Sequence, residues 1–183
     1  TPFGPCYVKE QQIALAETHG RWALSQVLST SYPNLHLFDQ GDFSSASVKK
    51  ALFLDTETTG LAGGTGTYAF LVGIGYFTDT HFVVKQLLMR DYNEELGLLY
   101  LLDQELRQRE IVVSFNGKTF DLPLLHTRFT LSRSGLQGTA NLKQLDLLHM
   151  ARRLWKLRLT SCSLTSLEEH ILGVRRVYDI PGF

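Results

Sequence analysis

Asp55-Thr56-Glu57-Thr58-Thr59-Gly60 follows directly on the apolar run Ala51-Leu52-Phe53-Leu54. The apolar run reads as a short buried strand. Carboxylates two residues apart on extended backbone, Asp55 and Glu57, point to the same face because side chains alternate along a strand. Like charges held that close resist ionisation together unless a cation lies between them. A hard divalent metal with oxygen ligands is the usual resolution. The strand end is therefore expected to hold metal, and a third carboxylate is expected downstream.

Working outward, Gly60 to Gly66 reads as a glycine-rich turn, and Tyr68 to Phe77 as a longer strand. Thr78-Asp79-Thr80 makes a hairpin into a strand from His81 to Leu88. Asn93 is a good helix N-cap, with Glu94 and Glu95 favoured in the first turn by the helix dipole. That helix runs to about Arg109 on an apolar stripe of Leu96, Leu99, Leu102 and Leu106. Ile111 to Phe115 is the next strand, ending at Asn116-Gly117, and a short helix follows across Asp121 to Phe129. Leu142 to Leu148 is a last strand or helix start leading into Met150 to Trp155. Ser163 caps a final helix that Gly173 stops after Leu172. The order β-β-β-α-β-α-β-α predicts an α/β fold: a mixed sheet of about five strands with helices on its faces.

The stretch before the first of these strands reads differently. Residues 1–48 hold three of the five prolines, one expected helix around Glu10 to Leu28, and a polar tail from Gly41 to Ser47. They read as a leader segment ahead of a domain spanning 49–183.

Asp121 supplies the third carboxylate. It lies just past a strand end in Ser114-Phe115-Asn116-Gly117-Lys118-Thr119-Phe120-Asp121, and strand ends in α/β sheets are where ligands bind. Asn116, before a glycine, suits a tight turn and can brace a neighbour by hydrogen bonding.

Together these residues resemble a known family. Asp55-x-Glu57-Thr58-Thr59-Gly60 is similar to the first motif of the DEDD exonucleases, a branch of the ribonuclease H-like superfamily. Asn116-x-x-x-Phe120-Asp121 is similar to their second motif, and Asp146-Leu147-Leu148-x-x-Ala151-Arg152 to the segment that often follows it. The wider pattern most resembles the YprB-like ribonuclease H-like group. It includes Gly60-Leu61-x-Gly63-Gly64-Thr65-Gly66-Thr67 and Phe120-Asp121-Leu122-Pro123, and the likeness runs from about Ala51 to Gly182.

The resemblance implies 3′–5′ exonucleolytic hydrolysis of single-stranded DNA or RNA. Two Mg²⁺ or Mn²⁺ ions about 3.5–4 Å apart would stabilise the attacking and leaving oxygens. Asp55 would bridge both ions, Glu57 would bind the one that activates water, and Asp121 the other. Asp146 and Asn116 are expected as a further ligand or as supports, and Thr58, Gly60, Arg152 and Arg153 as substrate contacts.

The family's fourth carboxylate follows a His or Tyr at fixed spacing, and nothing after Asp146 satisfies that pattern. Five past His149 is Leu154, five past His170 is Arg175, and four past Tyr178 is Gly182. The fourth ligand is expected beyond Phe183, with Asp179 the candidate substitute. With three carboxylates, metal binding is expected to be weak. The alternative reading is a non-catalytic nucleic-acid-binding or scaffolding module.

Other classes fall away. Formal net charge is zero, so nucleic acid must be held by a local patch or by metals rather than by a global basic field. Arg152, Arg153, Lys156 and Arg158, then Arg175 and Arg176, are the basic clusters available. The Gly63-Gly64-Thr65-Gly66 turn lacks the lysine and spacing of a phosphate-binding P-loop. Asp55-Thr56 has no glycine after it and no second copy, which excludes an aspartic protease. Cys6 and Cys162 have neither disulfide-framework nor zinc spacing, and read as reduced thiols of a cytoplasmic protein. No apolar run approaches the roughly 20 residues that cross a bilayer, and the N-terminus has no signal-peptide pattern. His126, His149 and His170 lack a catalytic partner at recognisable spacing.

Overall fold

The computed structural model describes residues 1–30, 48–60, 65–138 and 142–176. The polar tail at 41–47, Gly63-Gly64, and Tyr178 and Asp179 lie outside the described residues.

Strand β4 (Ala51–Thr58) is the centre of the molecule. Its first four residues, Ala51 to Leu54, are buried or half-buried on both faces, as expected of an inner strand written as an unbroken apolar run. Around it, β1 (Tyr7–Ala14), β5 (Ala69–Phe77), β6 (His81–Leu88), β7 (Ile111–Ser114) and β8 (Lys143–Asp146) complete a six-stranded sheet of order β1-β6-β5-β4-β7-β8. The pairs β1–β6, β6–β5 and β5–β4 are antiparallel, whereas β4–β7 and β7–β8 are parallel. From β4 onward the element order is the expected β-β-β-α-β-α-β-α, with α2 (Glu95–Leu106), α3 (Asp121–Ser132) and α4 (Leu147–Trp155) as its helices.

The two faces of β4 serve different cores. Leu52 and Leu54 join Val72, Ile74 and Leu87 beneath Leu98, Leu99, Leu102 and Leu106 of α2 and Leu122, Leu125 and Phe129 of α3. Ala51, with Phe53 at its margin, joins Ile111, Val113 and Leu145 beside Leu147 and Met150 of α4. Full burial of each such aliphatic side chain contributes about 1.5–3 kcal/mol. Continued along the strand, this alternation puts Asp55 and Glu57 on the α4 face and Thr56 on the face of α2 and α3.

The N-terminal segment departs from expectation. The helix predicted around Glu10 to Leu28 is a strand over Tyr7–Ala14, a two-stranded hairpin of β2 (Thr18–His19) and β3 (Trp22–Ala23), and a helix only at α1 (Leu24–Ser29). Glu10, Gln11, Gln12 and Ala14 favour a helix by propensity. Pairing with β6 along all eight residues of β1 overrides that preference. The hairpin meets the C-terminal turn Glu168–Leu172, where Arg21 N–H donates to Leu172 O at 3.0 Å. A Cβ on Gly20 (φ +61°) would stand 2.1 Å from that oxygen.

Two smaller corrections concern α2 and the last helix. Asn93 is not the cap of α2. A 3-10 turn spans Tyr92–Glu94, where the Glu94 carboxylate accepts the Arg90 backbone N–H at 2.9 Å and pairs with the Arg90 guanidinium. Ser163 caps α5 (Leu164–Leu167) by accepting from Ser166 N–H, and a π turn over Glu168–Leu172 ends at Gly173 with φ +74°. Among the described residues, no helix is long and apolar enough to cross a membrane.

Candidate active site

Asp55 and Glu57 lie two residues apart on β4, both exposed, with a register shift against β5 at Glu57/Thr58. The protein around Asp55 pushes its carboxyl above the ordinary aspartate range, and repulsion from Glu57 adds to this. The charge of Arg176, on the C-terminal segment, opposes it.

Asp121 opens α3, and its position follows from where β7 stops. The β4–β7 ladder runs only from Ala51↔Ile111 to Phe53↔Val113. Beyond it, the groups of β4 that would have faced a strand need other partners. Asp121 supplies one: the Thr56 hydroxyl donates to Asp121 Oδ1, and the Thr56 backbone N–H lies within reach of both the Asp55 and Asp121 carboxylates. Burial pushes Asp121 upward, the Thr56 hydroxyl pulls it back, and repulsion from Asp55 raises it again. Asp55 thus feels both other carboxylates.

The turn that delivers Asp121 is held from β8. Asp146 is 1% exposed. Its Oδ1 accepts Asn116 N–H at 2.8 Å and Leu148 N–H at 3.0 Å, and its Oδ2 accepts Lys118 N–H at 3.1 Å. It therefore caps α4 and clamps the 116–118 turn in one group. Asn116 takes φ +67°, a left-handed conformation that asparagine tolerates better than most residues. Gly117 permits close approach, since a Cβ there would come within 2.5 Å of Ser114 Oγ and 3.1 Å of Asp121 Oδ2. Ser114 Oγ is itself buried and, among the described residues, has no hydrogen-bond partner.

The other expected contacts take separate places. Thr58 Oγ1 donates to Gly60 O at 3.0 Å, closing the strand end. Arg152 and Arg153 are exposed in the last turn of α4.

Sequence reasoning overlooked two residues here. Thr56 was the unassigned position between the acids. Arg128, buried on α3, forks onto Glu95, donates to Thr65 O at 2.7 Å and stacks 3.8 Å from the Tyr68 ring centroid. It ties α2, α3 and the backbone at Thr65 together behind β4. Its signal was a charge among Leu124, Leu125 and Phe129.

As a donor set, Asp55, Glu57 and Asp121 suit a hard divalent cation: oxygen ligands only, mutually repelling, two of them with raised pKa values. Among the described residues, no three His, Cys, Asp or Glu side chains converge closely enough to hold a metal ion. The chemistry fits a cation, and the third ligand stands back on Thr56.

An α/β domain with a mixed sheet in this order, and acids at the end of its central strand, is of the ribonuclease H-like class. Residues 52–183 match the model of the RNase_H superfamily, and the chain belongs to that family. It is also 35% identical over 184 residues to the uncharacterized protein YprB of Bacillus subtilis (strain 168), across 97% of this chain and 43% of that protein. The chain spans less than half of that relative's length. That family membership suggests a nuclease or nucleic-acid-related function.

Proposed function

We propose that residues 49–183 form a metal-dependent nuclease domain, most simply a 3′–5′ exonuclease, hydrolysing phosphodiester bonds of single-stranded DNA or RNA. The observation that carries this reading is the electrostatic chain Glu57–Asp55–Asp121 at the end of β4, joined through Thr56. Repelling carboxylates brought together at a strand end cost stability, and a site that keeps them is suited to a cation.

In this reading Asp55, Glu57 and Asp121 hold Mg²⁺ or Mn²⁺. When bound, the metal supplies positive charge that lets an anionic phosphodiester approach and that stabilises the charge developing in hydrolysis. Thr56 orients Asp121 through its hydroxyl and shares its N–H between two ligands. Asp146 and Gly117 fix the turn that brings Asp121 to β4.

The test is cleavage of labelled single-stranded oligonucleotides in Mg²⁺ or Mn²⁺ by the wild-type chain, Asp55→Ala and Asp121→Asn. Cleavage lost in both variants, with the fold retained, supports the assignment. Undiminished cleavage by either overturns it.

One observation favours a second reading, a nucleic-acid-binding module without catalysis: the three carboxylates do not converge, and Arg176 lies within electrostatic reach of Asp55. Mn²⁺ calorimetry separates the two. Binding abolished by Asp55→Ala supports the nuclease, and absence of binding up to millimolar Mn²⁺ supports the module.

A further inference from the structure

We infer that the groove along the outer side of α4 is a subsite for the sugar–phosphate backbone of a single strand, with Arg152 and Lys156 as its phosphate contacts. The inference rests on the nuclease reading and specifies how that site would hold its substrate.

Two adjoining hollows make the groove. One, of about 460 Å³, is lined by Phe115, Asn116, Leu148, Arg152, Cys162 and Ser163, among others. The other, of about 310 Å³, is lined by Arg152, Lys156, Leu159, Thr160, Ser161 and Cys162. Arg152, Ser161 and Cys162 belong to both, so the hollows form one path from the Asn116 turn past Arg152 to Lys156. At its inner end the path meets the residues that Asp146 clamps, five positions before Asp121. It also lies on the α4 side of the sheet, the face that carries Asp55 and Glu57.

The charges along it are unspent. Lys85, Arg90, Arg107 and Arg128 each sit on a carboxylate. Among the described residues, Arg152 and Lys156 have no such partner, although the chain holds equal numbers of acids and bases. They stand four residues apart, so they are neighbours on one helix face and repel each other. The helix C-terminal dipole accommodates a cation there, but it does not account for two of them along a groove edged with serine and threonine hydroxyls. A polyanion spaced along the groove accounts for both. A globally neutral protein that handles nucleic acid needs such a local patch.

The test is fluorescence anisotropy with a labelled oligothymidylate about a dozen nucleotides long, within the span one small domain covers. EDTA keeps cleavage and metal bridging out of the readout. Wild type is compared with Arg152→Ala, Lys156→Ala, the double variant, and Lys9→Gln, which removes a charge from the opposite edge strand. Circular dichroism melts confirm that each variant is folded.

The expected result is a graded loss, roughly tenfold in the double variant, with the slope of log affinity against log salt shallower by about 0.7 per cation removed. Lys9→Gln is expected to match wild type. Equal affinity and slope in wild type and the double variant overturn the subsite, and so does a wild-type chain that fails to bind at low salt. If Asp55→Ala still abolishes metal-dependent cleavage in either case, the nuclease reading stands without it.

Discussion

Thr56 gives Asp121 both its hydroxyl and a share of its backbone N–H, in the space where β7 has ended. The carboxylate takes the place of the missing strand neighbour, so one side chain completes the sheet and stands at the site. Thr56→Val keeps shape and strand propensity while removing the hydroxyl. It is expected to cost about 1.5 kcal/mol, the range for a hydrogen bond to a charged group, read by urea denaturation. The hydroxyl lowers the Asp121 pKa, so Asp121 is expected to titrate higher in the variant by carbon-detected carboxyl NMR. An unchanged titration would show that the hydroxyl does not hold Asp121.

Asp146 makes a graded prediction. Its two oxygens accept three backbone N–H groups while almost wholly buried. Alanine strands all three and removes the α4 cap, which is expected to cost about 3 kcal/mol or more. Asparagine can still accept at Oδ1 but turns an amide toward the Lys118 N–H, for a loss of about 1–2 kcal/mol. Chemical denaturation of both variants gives the order. Equal losses would mean that the Oδ1 contacts to Asn116 and Leu148 add nothing to the Lys118 contact.

These two residues also mark what was legible in the sequence. The strands from β4 to β8 and helices α2 to α4 could be read because their apolar periods reflect burial that the fold delivers. The acids Asp55, Glu57 and Asp121 stand out in the sequence as repelling carboxylates near strand ends, and in the fold Asp55 and Glu57 lie on β4 while Asp121 receives the Thr56 hydroxyl. Tyr7–Ala14 could not be read, because this edge strand is exposed along most of its length and is held by backbone pairing to β6, which leaves no alternation to read. Asp103 was equally hidden. It is fully buried, accepts Gln137 N–H and Gly138 N–H at 3.0 Å each, and pairs with Arg107. Its two backbone partners lie more than thirty positions away, beyond the reach of any local pattern. Thr56 was missed because its role depends on where another strand stops.

Gly117→Ala tests the turn itself. A Cβ there would meet Ser114 Cβ and Oγ at 2.5 Å, inside a buried strand end that cannot yield cheaply. Overpacking of this kind costs about 1–3 kcal/mol. The strain is expected to displace Asp121, whose Oδ2 would lie 3.1 Å from the new carbon. Thermal melts read the stability loss, and the Asp121 carboxyl shift reads the displacement. Wild-type stability in the variant would show that Ser114 moves aside.

Asp55→Asn is expected to stabilise the metal-free protein at neutral pH. The folded protein raises the Asp55 pKa by partly desolvating its accessible carboxyl and through the charge of Glu57, so the ionised form is penalised in the fold relative to the unfolded chain. That penalty is present above the folded pKa, shrinks as pH falls through it, and is absent well below the ordinary aspartate value of 3.8. Melting temperatures of wild type and variant should therefore differ at neutral pH, with the variant higher, and converge under acid. Manganese should reverse the order, because a ligand bound only by the folded state raises stability by mass action, and the variant lacks a charge that would hold it. A variant no more stable than wild type at neutral pH in EDTA would mean that the Asp55 carboxylate is relieved within the protein, leaving no electrostatic demand for a cation at the end of β4.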